Sequence, residues 1–364
     1  MKAAWIRLFS LVLVVVLLAG CTALPVAQTG PEEVDPPAQA EVVEPVTLKA
    51  GYLPIGSYLP LYVAIAKGYF EEQGITLELQ SFRTGAEMVA PLSLSQLDIG
   101  AGEVGTAFFN AVAQDLPVRV VLPMGFLRAE NSYLPLVARK DLFDSGAFDS
   151  LEDQAGKKIA VNAVRGLTEW VAAKALEAGG LSVDDVELVV IPFPEMVQAL
   201  QNNAVDGAWI QYPVASTALN PGPNGEEPIA VRLIGGDEAT DNAQVTAFYF
   251  GERLLKPENR ETAVRVCMAL IKAFRFINDE DWKADEDVIA TMAEITQTSP
   301  EAIRAGVYAG FDPNGRMKVE SLAAMQAYYV ERAYTEYDKV IAMDGVIDDS
   351  FWQEALERLG EVQP

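Results

Sequence analysis

The stretch GYLPIGSYLPLYVAIAKGYFEEQGITLEL, residues 51–79, decides how the surrounding chain folds. Residues 46–53 alternate between apolar and polar side chains, which predicts a β-strand that ends in a turn rich in glycine and proline. A second β-like run begins at residue 75. Between the two runs, apolar side chains recur on one face of a helix of about three turns: Leu61, Ala64, Ile65 and Tyr69. The order of strand, helix and strand predicts a βαβ unit, and therefore an α/β fold.

The loop at residues 52–60 lies where a ligand is expected. In open α/β sheets, ligands bind beyond the carboxyl ends of the strands, where helix N-termini present free N–H groups. Tyr52 and Tyr58 stand next to glycines in this loop, where a large ring suits a ligand as well as it suits packing. Tyr62 follows on the helix, where a core position is equally reasonable.

Composition favours a binding protein over an enzyme. The 364 residues, half of them hydrophobic, can bury a large core, and the usual size of a domain favours two lobes. A net charge of −25 argues against binding to nucleic acid. Histidine is absent, which excludes Ser-His-Asp and Cys-His catalysis and every metal site that contains histidine. We expect no cofactor, no metal and no catalytic residue.

The N-terminal residues have the pattern of a lipoprotein signal. Lys2 and Arg7 precede an apolar run from Leu8 to Leu18, interrupted only by Ser10 and followed by Ala, Gly and Cys21. This run is shorter than the ~20 residues that a spanning helix needs, although a signal anchor with a chance cysteine is the alternative. The sequence predicts lipidation (palmitate) of Cys21 and a cell-membrane protein on the extracytoplasmic face. Residues 22–45, rich in proline and carboxylates, are predicted to be a disordered tether.

Further candidate residues stand where predicted helices begin. Thr84 is placed to cap one helix, and Thr106 opens another. Glu87 and Glu103 lie near the same helix starts, where a carboxylate also stabilises the helix dipole. If they face a cleft, they repel anions and favour ligands with N–H or O–H donors.

From Gly156 onward the chain repeats the theme of strand, loop and helix. Asn162 and Arg165 lie in one such loop, and Arg165 is the best-placed cation for an anionic ligand. Trp209, Gln211 and Tyr212 lie where another strand passes into a loop. Trp209 and Tyr212 suit one wall of a slot that stacks on a flat ring, although Trp209 also suits a core.

Five motifs together carry a resemblance to a known family. They are LYVAIAKGYFEEQGI (61–75), QLDIGAGEVG (96–105), GKKIAVN (156–162), LSVDDVEL (181–188) and AVDGAWIQYP (204–213). Over residues 46–280 the chain resembles the substrate-binding proteins of ABC importers in the nitrate, sulfonate and thiamine-precursor family. The resemblance implies a two-lobed, periplasmic-binding-protein-like fold of type II, with a ligand cleft between lobes that are joined by a two-segment hinge.

The resemblance also implies boundaries and partners. We expect a signal peptide at 1–21, a tether at 22–45, lobe one at 46–130 and 246–364, and lobe two at 131–245. The expected partners are an ABC permease, its ATPase and a small-molecule ligand, and the protein is expected to be a monomer.

Two ligand classes and two further function classes follow. The aromatic candidates favour a flat heteroaromatic ligand, first riboflavin and then a thiamine-pyrimidine precursor, stacked between tyrosines and Trp209. The alternative is a small anion such as taurine, an aliphatic sulfonate or nitrate, bound by Thr84, Thr106, Arg165 and helix N-termini. A pyrimidine-synthesising enzyme of the same fold is disfavoured because histidine is absent, and a sensor lipoprotein without an importer stays open.

Overall fold

The computed structural model describes residues 44–128, 133–222, 224–279 and 281–363, which belong to one compact unit. The predicted signal peptide, Cys21 and nearly all of the predicted tether lie outside the described residues. Within the described ranges, no helix has the length and apolar character needed to cross a membrane.

Strands and helices alternate along most of the described chain. The strands are β1 (Val46–Tyr52), β2 (Ile75–Ser81), β3 (Ile99–Glu103), β4 (Arg119–Phe126), β5 (Pro135–Arg139), β6 (Lys158–Val161), β7 (Glu187–Val190), β8 (Gly207–Trp209), β9 (Ala230–Gly235) and β10 (Gln244–Phe250). The α-helices are α1 (Leu59–Ala66), α2 (Tyr69–Glu72), α3 (Ala86–Ser93), α4 (Thr106–Ala113), α5 (Lys140–Asp144), α6 (Leu167–Ala178), α7 (Phe193–Gln201), α8 (Val214–Leu219), α9 (Gly236–Thr240), α10 (Glu252–Leu255), α11 (Arg260–Asp279), α12 (Glu286–Thr296), α13 (Pro300–Ala305), α14 (Val319–Glu331) and α15 (Ser350–Leu359).

These strands form two five-stranded mixed sheets of the same design. The first sheet has the order β2-β1-β3-β10-β4, in which β1 is parallel to β2 and β3, and β10 is antiparallel to β3 and β4. The second has the order β7-β6-β8-β5-β9, in which β6 is parallel to β7 and β8, and β5 is antiparallel to β8 and β9. The predicted α/β class is confirmed.

The chain crosses from one sheet to the other next to the antiparallel strands. It leaves the first sheet after β4 and enters the second with β5, and it returns between β9 and β10. Each antiparallel strand is therefore placed next to a passage between the sheets. This arrangement brings the carboxyl ends of β1 and β3 towards those of β6 and β8, which is where an α/β sheet places its ligand.

The longest helix, α11, stabilises the side of the first sheet. Its buried side chains recur at helical spacing, as at Val264, Cys267, Ile271 and Phe274, and the helix packs against α1, α2 and α15. Burial of each large apolar side chain contributes about 1.5–3 kcal/mol. Cys267 is a fully buried free thiol in this interface, so it serves as a small core residue.

Candidate functional site

A narrow space between the two sheets, here called the inner cavity, is the candidate site. Its volume is about 30 Å³, room for roughly two water molecules. The first half of the chain contributes Leu53, Ile55, Ser57, Tyr58, Gly85, Gly102 and Glu103, and β10 contributes Thr246. The segment that carries the second sheet, from β5 to β9, contributes Asn162, Leu167, Thr168, Phe193 and Gln211. The cavity therefore has two walls, and each wall is built mostly from loops that follow strand ends.

Tyrosine hydroxyls fix the loop after β1. Tyr58 is fully buried and donates a hydrogen bond to the carbonyl of Ala101. The Tyr62 hydroxyl lies 3.1 Å from the carbonyls of both Leu53 and Ile55, which hold the loop against α1. Burial raises the pKa of both tyrosines well above the ordinary value, so the hydroxyls stay protonated donors.

Two glycines allow this loop and its neighbour to approach other groups closely. A Cβ on Gly56 would lie 2.7 Å from the carbonyl oxygen of Tyr212, which comes from the second half of the chain. Gly102 has a φ of +136°, and a Cβ there would lie 3.2 Å from the Tyr58 hydroxyl oxygen. A larger residue at Gly56 would push the two walls apart, and one at Gly102 would strain the backbone and crowd the Tyr58 hydroxyl within its own wall.

The carboxylate of Glu103 joins the two walls directly. Its Oε2 accepts a hydrogen bond of 2.9 Å from the backbone N–H of Leu167, the first residue of α6. Burial raises the pKa of the Glu103 carboxyl, and the hydrogen bond from Leu167 opposes this shift. Beside it, the hydroxyl of Thr106 donates to the carbonyl of Arg165 at 3.0 Å.

Polar groups without protein partners face the same space. Ser57 and Gln211 are only 2% and 3% exposed, yet Ser57 Oγ and Gln211 Oε1 have no hydrogen-bond partner in the described part of the chain. Buried polar atoms are nearly always paired, because an unpaired one costs about 1–3 kcal/mol. A donor and an acceptor supplied by a ligand would satisfy both atoms.

Two further spaces continue the inner cavity. An outer cavity of about 250 Å³ shares Leu53, Ile55, Asn162 and Phe193 with it and adds walls from Phe82 and residues 192–195. A side cavity of about 50 Å³ shares Gly85 and Glu103 with it. The cleft therefore widens outward from a narrow centre.

The structure brings together some of the residues proposed from sequence. Tyr58, Glu103, Asn162 and Gln211 line the inner cavity. Thr106 and Arg165 line the side cavity, but the Arg165 guanidinium lies 5.2 Å from the centre of the Tyr334 ring. Tyr52 lines a wide outer groove of about 750 Å³. Tyr212 is half-buried, and its backbone carbonyl, as noted above, abuts Gly56.

Other proposed residues lie away from the inner cavity. Trp209 is fully buried in β8, so the slot expected between Trp209 and the tyrosines is not present in this arrangement. Tyr62 is fully buried behind the loop that it holds. Glu87 is exposed and accepts from the N–H of Arg83, and α3 begins after Gly85, so Thr84 is not its cap.

Sequence reasoning missed Ser57 and Phe193. Ser57 lies in the loop that drew attention to its tyrosines, and a buried hydroxyl leaves no sequence signal of its own. Phe193 begins α7 between two prolines directly after β7. The rule that ligands lie beyond strand ends would have pointed to it.

Comparisons with known proteins agree with this architecture. Residues 41–296 match the model of the NMT1-like family. The riboflavin-binding protein RibY of Chloroflexus aurantiacus is 27% identical over 201 residues, which cover 52% of this chain and 53% of that protein. The match therefore spans about half the length of that relative. The nitrate/nitrite binding protein NrtA of a Nostoc species is 21% identical over 313 residues, 82% of this chain and 69% of that protein.

A solved structure extends the comparison to the fold. The periplasmic nitrate-binding protein NrtA of Synechocystis superimposes with a TM-score of 0.68 at 17% identity, covering 87% of this chain and 89% of that chain. At this identity the likeness concerns the fold. It confirms the expected two-lobed, periplasmic-binding-protein-like architecture.

Proposed function

Because this chain belongs to the NMT1-like family, we propose that it is the substrate-binding protein of an ABC importer and not an enzyme. Both curated relatives described above are named as binding proteins. A ligand that touches two walls binds the closed form more tightly, and so shifts the protein towards closure. The inner cavity, which draws on both sheets, is suited to this mechanism.

The importer context and the lobe boundaries belong to the same proposal. A lipid on Cys21 holds the protein at the extracytoplasmic face of the cell membrane, where it delivers its ligand to a permease driven by an ATPase. The proposed lobes are 46–130 with 246–364, and 131–245. The membership of β1–β4 and β10 in one sheet and of β5–β9 in the other supports this division.

The proposed ligand is a flat, uncharged heteroaromatic molecule, with riboflavin first and a thiamine-pyrimidine precursor second. One observation carries this choice: the described residues that line the inner cavity include unpaired polar atoms between apolar walls and no lysine or arginine. Phe193 extends one wall into the outer cavity, where a ring can pack. The inner cavity alone is too small for such a ring, so the walls must separate for the ligand to enter.

A small anion is the second candidate. The side cavity contains Thr106 and the backbone of Arg165, close to the starts of α4 and α6, and helix N-termini favour anions. The nitrate-binding relative agrees with this choice. The side chain of Arg165 weakens it, since the guanidinium packs on Tyr334.

A titration of the full chain separates the two candidates. The detergent-solubilised protein is unfolded, stripped of ligand and refolded, and then titrated with riboflavin, taurine and nitrate, with flavin and tryptophan fluorescence followed together. We expect saturable quenching with riboflavin and no response to the anions. A response to taurine or nitrate alone would replace the heteroaromatic ligand with an anion.

A further inference from the structure

The N-terminus of α6 is capped by a residue from the other sheet. Gly166 precedes the helix and has no side chain with which to cap it. The backbone N–H of Leu167 instead donates to Glu103 Oε2 at 2.9 Å, and Glu103 ends β3 in the first sheet. A carboxylate from one wall therefore stands at the start of a twelve-residue helix in the other.

The Glu103 carboxylate lies directly against the backbone of Gly166. A Cβ on Gly166 would lie 2.8 and 2.9 Å from the two carboxylate oxygens of Glu103. The absence of a side chain at Gly166 thus leaves room for the carboxylate. A helix N-terminus attracts anions through its free N–H groups and its dipole, and here an anion of the protein already occupies that place.

A second observation shows that a ligand is expected in the same cavity. Ser57 Oγ and Gln211 Oε1 are buried, line the inner cavity together with Glu103 and Leu167, and lack partners in the described chain. The Gln211 oxygen is an acceptor, so it requires a donor from the ligand. Gln211 and Glu103 both bring acceptor oxygens to the cavity, so a ligand group that carries hydrogen would suit both of them.

We propose that Glu103 is an internal anion that determines ligand charge: it occupies the anion position at the start of α6, excludes negatively charged groups from the inner cavity and selects ligands that present N–H or O–H donors. This inference rests on the proposed function, in that the ligand binds in this cleft. The proposed function does not say which residue excludes anionic ligands, and this inference assigns that role to Glu103. Removal of the carboxylate should uncover an anion site that the wild-type protein lacks.

The test is a gain of binding. Wild-type protein, Glu103→Ala and Glu103→Gln are titrated calorimetrically with methanesulfonate and with nitrate, two anions that carry no N–H or O–H donor. We expect anion affinity to rise roughly tenfold or more in Glu103→Ala, and to rise less in Glu103→Gln, because the amide keeps the position filled but removes the charge. Melting curves establish that each variant is folded, and Glu103→Gln tests the proposal if Glu103→Ala is not.

The matched control is Glu169→Gln, in the first turn of the same helix. Glu169 is buried, and its oxygens accept from the N–H of Arg165 at 2.7 Å and from the Tyr328 hydroxyl at 3.0 Å. It does not line the inner cavity. We expect it to gain no anion binding.

Two outcomes would overturn the inference. One is a folded Glu103 variant that binds methanesulfonate and nitrate no better than wild type, and the other is an equal gain in Glu169→Gln. Failure of the wild-type protein to bind riboflavin is a separate result, since it removes the proposed ligand without affecting the anion gain.

Discussion

Two polar sites lie near the start of α6, and they differ in whether their oxygens are paired. At one site, here called the paired region, the Glu169 oxygens accept from the Arg165 N–H and from the Tyr328 hydroxyl, at 2.7 and 3.0 Å, although the adjacent residues Trp170 and Tyr329 each have a buried donor without a partner in the described chain. At the other site, the inner cavity, Ser57 Oγ and Gln211 Oε1 have no partner in the described chain. A paired region stabilises the fold, whereas an unpaired region costs stability and awaits a ligand.

The largest expected effect comes from breaking the paired region. Glu169→Ala leaves the Arg165 N–H and the Tyr328 hydroxyl without their acceptor, and we expect the free energy of unfolding to fall by about 2–4 kcal/mol. Urea denaturation measures this loss. Glu169→Gln, which keeps an acceptor oxygen, should lose less. Equal stability of Glu169→Ala and wild type would mean that this pairing contributes nothing.

Gln211→Leu should reduce ligand affinity without reducing stability. It removes a buried unpaired acceptor, so the stability of the ligand-free protein should be unchanged or higher. Ligand affinity should fall roughly tenfold, because the ligand donor loses its acceptor. Denaturation and riboflavin titration of the same preparation measure the two quantities. A large loss of stability with unchanged affinity would make Gln211 a structural residue.

The dependence of stability on pH tests the environment of the Glu103 carboxyl. Burial raises its pKa above the ordinary value of 4.5, so the folded protein binds this proton more tightly than the unfolded chain does. The stability contributed by this group is complete below that ordinary value and is lost as the pH rises through the raised pKa. Acidification from about pH 7 to about pH 4.5 should therefore stabilise wild type relative to Glu103→Gln. A constant difference in melting temperature would contradict the assignment.

The smallest expected effect lies at the edge of the paired region. Arg332 makes a two-point ion pair with Asp184, at 2.8 and 3.0 Å, and the Asp184 side chain is 72% exposed. Exposed pairs contribute little, so a double-mutant cycle of Arg332→Ala and Asp184→Ala should give a coupling energy below ~1 kcal/mol. A much larger coupling would mean that this pair holds α14 against the segment that carries the second sheet.

The sequence predicted the parts of the fold that depend on local pattern. The alternation of β1, the apolar face of α1 and the start of β2 identified the first βαβ unit. The strand order that the two sheets share could not be predicted from the sequence. In both sheets an antiparallel strand, β5 or β10, pairs with a strand far away along the chain. Such pairing depends on tertiary contacts that no local window contains.

The site was harder to predict than the fold. Strand-end loops drew attention to Tyr58, Asn162 and Gln211, and all three line the inner cavity. Near the end of a strand, the local sequence pattern does not determine which side chains are buried in the core. Trp209 lies in the core, for example, whereas Gln211, two residues later, lines the cavity. The contact between Glu103 and α6 joins residues 64 positions apart, so spacing could not reveal it.

The most direct test of the central claim, that the ligand binds between the two sheets, is a riboflavin titration of wild type, Phe193→Leu and Phe148→Leu. Phe193 lines the inner and outer cavities, whereas Phe148 is fully buried and lines neither of them. We predict saturable binding by wild type and Phe148→Leu, and affinity weaker by roughly tenfold in Phe193→Leu. Binding by Phe193→Leu as tight as that of wild type would contradict the account.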